Sequence, residues 1–164
     1  MLHERTLTKM VLMFLTLSAA FALASGRLGE IMPCPHEWVK FESRCFHFER
    51  TSMSWPNAER RCLSLGGNLA SVHNSAESHF LKELTSGSHS WIGGFDAAQA
   101  KIEKDRLWFW SDGSVFDYQN WADGEPNNFN GVREPCILIF GEGHRWNDEV
   151  CEHSFPSLCS MELN

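Results

Sequence analysis

Six cysteines lie between positions 34 and 159 of a 164-residue chain, and they constrain its fold more than any other feature. They are Cys34, Cys45, Cys62, Cys136, Cys151 and Cys159. No two stand in a C-x-x-C spacing, which weighs against a zinc ribbon or a thioredoxin-type redox site. An even count in a secreted chain reads as a disulfide framework, although six cysteines can be joined in fifteen ways by counting alone. Three bridges are expected, in a chain with room for one ordinary domain.

The start of the chain supports secretion. Arg5 and Lys9 precede an apolar run over 10–23, and Ala22 and Ala24 supply small residues at the −3 and −1 positions of a cleavage site. A basic head, a short apolar middle and a small-residue exit make a signal peptide of residues 1–24. A membrane span needs about 20 apolar residues, more than this run has. Residues 25–33 read as a short tail. Removing residues 1–24 takes away Glu4, Arg5 and Lys9, so the charge goes from 14 − 21 = −7 to 12 − 20 = −8. That acidic balance, with no basic cluster, excludes nucleic acid as a natural partner.

Helical signals fall in the first half of the body. Ser54 can cap a helix in which Trp55, Ala58, Cys62 and Leu65 recur at helical spacing before Gly66-Gly67, with Pro56 tolerated in the first turn. Asn74 with Glu77 forms the amide variant of a capping box for a second helix. Its buried stripe would be Phe80, Leu81 and Leu84, with Gly87 after its end. Beyond Ser90 short strands are expected at 91–94, 107–110, 136–140, 144–146 and 156–160, with Gly141-Glu142-Gly143 as a hairpin turn. Between Asp112 and Glu134 runs a long polar loop, and loops of that length are functional or disordered. Phe116, Tyr118, Trp121 and Phe129 within it favour order.

The loop and the following strands carry hard oxygen ligands. Glu125-Pro126-Asn127 sets a carboxylate and an amide on either side of a proline, Glu134 precedes Cys136 by two, and Asn147-Asp148 precede Cys151. Calcium takes six to eight oxygens of this kind. A cis Glu125–Pro126 bond would let both neighbouring side chains face one ion. Acids and amides in a loop are also commonly just solvated, so spacing alone leaves both readings open.

Further motifs narrow the choice. Gly67-Asn68-Leu69-Ala70-Ser71 follows the first helix, and Trp91-Ile92-Gly93-Gly94, Trp108-Phe109-Trp110-Ser111-Asp112-Gly113 and Trp146-Asn147-Asp148 follow in order. With the cysteines, these resemble the C-type lectin-like domain from Cys34 to about Ser160. Gly94 departs from the pattern, since an apolar residue is more usual there. The resemblance implies an α+β fold of two helices with antiparallel sheets and a long calcium-binding loop. It implies the bridges Cys34–Cys45, Cys62–Cys159 and Cys136–Cys151, and a lectin domain over 34–160. It also implies a Ca2+ site of Glu125, Asn127, Glu134, Asn147 and Asp148, in which Glu125, Asn127, Glu134 and Asn147 also bond the sugar. Glu-Pro-Asn resembles the mannose-type signature, for mannose, N-acetylglucosamine and fucose, as opposed to the galactose-type Gln-Pro-Asp. Phe129 could filter or add contacts. Pro135 stands where members with an auxiliary calcium site have an acid; Asp96, Glu103 and Asp105 could supply oxygens, but that site is expected to be absent or weak.

These features imply a secreted lectin for recognition of microbial glycans, with a homo-oligomer as a route to avidity. The small soluble fish members that the chain is similar to include plasma and venom lectins and type II antifreeze proteins, so ice or another non-sugar ligand is the alternative. Catalysis is not expected: no G-x-S-x-G occurs, and the cysteines are wanted for bridges. Trp38, Trp55, Trp91, Trp108 and Trp110 read as core, Trp146 as packing under the loop and Trp121 as undecided. His73, His79, His144 and His153 lack zinc spacing and read as surface or structural.

Overall fold

A computed structural model describes residues 34–140 and 143–163. The expected signal peptide, the tail 25–33 and most of the turn at Gly141-Glu142-Gly143 lie outside the described residues. In chain order the elements are β1 (Val39–Phe41), β2 (Arg44–Met53), α1 (Trp55–Ser64), β3 (Asn68–Leu69), α2 (Ser75–Thr85), β4 (Ser90–Asp96), β5 (Trp108–Trp110), β6 (Cys136–Phe140), β7 (Arg145–Glu149) and β8 (Phe155–Glu162). The sheet runs β1-β2-β8-β4-β6-β7, with β3 on β8 and β5 on β4. All pairings are antiparallel except the single contact of β4 with β8 at Trp91 and Ser157.

Both helices stand where expected, but their caps differ. Ser54 occupies the cap position of α1 without a side-chain hydrogen bond. Asn74 does cap α2, its side chain accepting from the Glu77 N–H. Glu77 does not complete the box. Its carboxylate accepts instead from the His73 N–H at 2.7 Å and from Arg44 at 2.9 Å, because a buried guanidinium offers a stronger partner than the cap amide. Leu81 is fully buried, whereas Phe80 and Leu84 only flank the core.

The strands beyond Ser90 also stand close to their expected places, though β7 extends through Asn147 and Asp148 to Glu149. The strands of the first half (β1, β2 and β3) were not anticipated. In β2, Arg44 is buried beside Phe46, and its guanidinium donates to Ser71 and Ser160. A buried, paired charge among inward residues breaks the apolar alternation by which a strand is read.

The core lies on both faces of the sheet. Along β6, Ile137 and Ile139 enter one cluster with Trp110 and Trp146, while Cys136 and Leu138 enter another with Trp91 and Cys62. Period two thus serves two cores from one strand. The bridges are Cys34–Cys45, Cys62–Cys159 and Cys136–Cys151. The second spans 97 residues, and closing a loop of that order stabilises by about 4 to 5 kcal/mol in the chain-entropy treatment.

Packing also accounts for Gly94. A Cβ there would stand 2.3 Å from Ile137 Cδ1 and 2.7 Å from its Cγ1, so the Ile137 side chain fills the space a larger residue would take. Gly94→Ala is expected to destabilise by about 1–3 kcal/mol. Combined with Ile137→Ala it should cost less than the two single changes summed, with coupling of about 1 kcal/mol in urea denaturation. Strict additivity would refute this account.

Candidate functional site

The long loop is attached to the sheet at its middle and at its far end. At the middle, the Trp146 N–H donates to Asn120 O at 2.7 Å and the Ala122 N–H donates to Trp146 O at 2.9 Å. Asn120 also donates from Nδ2 to His144 O. The aromatics follow: Trp146 is fully buried, with Trp110, Phe116, Tyr118 and Trp121 around it at centroid distances of 5.5 to 6.0 Å. Trp121 is therefore a packing residue, 4.8 Å from Trp108 on its other side.

The far end brings the expected ligand residues together beyond the Cys136–Cys151 bridge. The Glu125–Pro126 bond is cis, and Asn127 Nδ2 donates to Glu125 Oε1 at 2.8 Å. Asp148, on β7, is wholly buried; its Oδ1 accepts from the Asn127 N–H and its Oδ2 from the Asn128 N–H, both at 2.9 Å. Glu134 is buried just before β6 and accepts from the Phe129 N–H at 2.6 Å. Asn147 is half-buried, and its Nδ2 turns to the Asp148 carbonyl instead of to the other ligand side chains. Phe129 is 63% exposed at the rim.

Charge is unbalanced here. Glu125 Oε2 is buried without a hydrogen-bond partner. Burial, then the nearby Asp148 carboxylate and the charge of Glu134, push the Glu125 carboxyl up to about 7. Burial and the Asp148 and Glu149 charges likewise raise Glu134, against the Phe129 N–H and Arg106. Among the described residues no three His, Cys, Asp or Glu side chains are gathered closely enough to hold a metal by themselves. The donor set is instead mixed, carboxylates interleaved with the amides of Asn127 and Asn147. An orphaned buried carboxylate oxygen among other carboxylates and amide oxygens fits a hard divalent cation. Asp96, named above for an auxiliary site, is fully engaged: it accepts from the N–H groups of Ala98, Ala100 and Leu107.

The sequence pattern described as Lectin C-type domain matches residues 51–161. The chain is a member of the C-type lectin family. It is 60% identical to ladderlectin of Oncorhynchus mykiss over 130 residues, 76% of this chain and 65% of that protein, so it spans just under two thirds of that relative's length. It is 42% identical to the galactose-specific lectin nattectin of Thalassophryne nattereri over 135 residues, 79% of this chain and 81% of the relative. Herring type II antifreeze protein superposes with a TM-score of 0.70 at 39% identity, over 80% of this chain and all of that one. This C-type lectin domain is accordingly a binding protein and not an enzyme. Among the described residues no helix is long and apolar enough to cross a membrane.

Two residues of the candidate site escaped sequence reasoning. Asn128 is buried in the left-handed region at φ 48°, and its Oδ1 accepts from the Glu134 N–H at 2.9 Å. The Asn-Asn pair was its only signal, since asparagine tolerates that backbone better than most residues. Arg106 sits in the charged run 101–106, which reads as solvated, yet its side chain is 1% exposed.

The raised Glu125 has a measurable consequence. Without metal the folded state keeps a proton that the unfolded chain releases above about 4.5, so stability falls as pH rises from 4.5 towards 7. His144 acts oppositely: burial holds it neutral, down to about 4, so stability falls as pH drops from 6.5 towards 4. Glu125→Gln removes only the first effect. In calcium-free urea titrations it should match the parent near pH 5 and exceed it by about 1 kcal/mol at pH 7.5, a figure reduced for the partial exposure of Glu125. An equal gap at both pH values would refute the assignment.

Proposed function

We propose that this chain is a secreted lectin that binds mannose-type glycans through calcium held by Glu125, Asn127, Glu134, Asn147 and Asp148. The observation that carries this reading is the unpartnered, buried Glu125 Oε2 set among carboxylates that raise its carboxyl to about 7. Such a site is destabilised by its own charge and is relieved by a cation. Bound calcium supplies the remaining charge and an oxygen shell that two vicinal sugar hydroxyls can enter.

The side chains then divide the hydrogen bonding. Glu125 and Glu134 accept from the hydroxyls, while the Nδ2 groups of Asn127 and Asn147 donate to them. No bond is broken. Exchanging acid and amide across Pro126 would reverse which hydroxyl meets a donor, and this is the physical content of the Glu-Pro-Asn order. Phe129, exposed on the same loop, offers a ring for an apolar sugar face. Secretion rests on the signal-like segment 1–24 and on three bridges, which persist in oxidising compartments. Recognition of microbial glycans, strengthened by multivalent presentation, is the role this site suits.

Mannose-agarose tests the reading. The oxidised protein should be retained in calcium and released both by a chelator and by free mannose, but not by galactose. Glu125→Gln with Asn127→Asp should shift release towards galactose. Failure to bind mannose, with galactose binding or thermal hysteresis in its place, would move this chain to a galactose-binding or ice-binding function like those its relatives' names describe.

A further inference from the structure

Beneath the candidate ligands lies a buried cation that belongs to the chain itself. Arg106 leaves the short turn Glu103–Asp105 and sends its guanidinium inward, where three segments meet. Nη1 donates to Asp148 Oδ2 at 2.6 Å, Nη2 donates to the Glu134 carbonyl, and Nε lies 3.5 Å from Asp96 Oδ2. Trp108 covers the group, 4.3 Å from the guanidinium carbon. The side chains of Asp96 and Asp148 are 1% and 0% exposed, and the guanidinium brings an opposite charge to two carboxyls removed from water.

Each partner organises its own stretch of backbone. Asp96 gathers the N–H groups of Ala98, Ala100 and Leu107, and Asp148 those of Asn127 and Asn128. The Glu134 carbonyl continues a segment whose N–H is held by Asn128. We propose that Arg106 is a resident cation that positions the candidate metal site, holding the loop at 127–134 in place before any metal arrives. Calcium would then enter a formed site instead of folding one. The inference takes the calcium reading for what the site is for, but the hold of Arg106 on the segment 127–134 does not depend on that reading.

Amide hydrogen exchange followed by NMR in calcium-free buffer tests it. In the parent protein, the amides of Asn127, Asn128 and Glu134 should be protected. In Arg106→Gln they should exchange about a hundredfold faster, while Leu158 in β8 stays protected. Arg106→Lys, which keeps the charge, should recover most of the protection at Asn127 and Asn128. Three outcomes would each overturn the proposal: parent amides exchanging like an unstructured chain, Arg106→Gln as protected as the parent, or Arg106→Lys no better than the Gln variant. If the Gln variant fails to fold, the parent and Lys measurements still decide. Calorimetric calcium titration of the same parent sample separates the two ideas: no binding defeats the calcium reading, whereas an unprotected loop defeats the role of Arg106.

Discussion

Asp148 and Arg106 form a buried ion pair on which the upper part of the molecule depends. One carboxylate, rigidly carried by β7, takes a guanidinium from the turn before β5 and two N–H groups from the long loop. Removing either charge would strand the other away from water, which is far costlier than losing an exposed pair. The loop therefore has a defined path although it contains almost no regular structure. At its far end the N–H groups of Asn127 and Asn128 end on the Asp148 side chain instead of on a neighbouring strand.

Below that pair the aromatic cluster around Trp146 supplies bulk. The loop crosses Trp146 with its backbone paired to the strand at Asn120 and Ala122 and its aromatic side chains packed against the indole. Polar anchoring at the far end and apolar anchoring at the middle are complementary. Edge-on aromatic contacts set orientation, while ion pairing sets position at the rim where little apolar surface is available. The Cys136–Cys151 bridge ties β6 to the chain leaving β7.

This arrangement separates scaffold from specificity. The residues holding the loop are buried, whereas Asn127 and Phe129 are exposed. Substitution at the exposed positions leaves untouched the buried contacts that carry the loop. A galactose-specific lectin and an antifreeze protein are similar to the chain at comparable identity, 42% and 39%, so likeness of the scaffold does not by itself name the ligand.

Much was legible in the sequence because its signals are local. Asn74 caps its helix through a bond to a residue three positions on, and the strands over 136–140 and 156–160 carry their pattern in consecutive residues. The order of motifs around the cysteines carried the family and the bridges. Whatever depended on partners distant in sequence was not legible. Glu77 abandoned its cap for Arg44, 33 residues away, and Arg44 thereby concealed β2. Arg106 stands in a run of charges that looks solvated, yet it meets Asp148 across 42 residues. The sequence by itself determined both helices and the strands beyond Ser90, which cysteines the family pattern joins and which oxygens are on offer. Only the tertiary structure decided which charges are buried and what neutralises them, because burial and pairing arise when distant segments pack and leave no periodic mark along the chain.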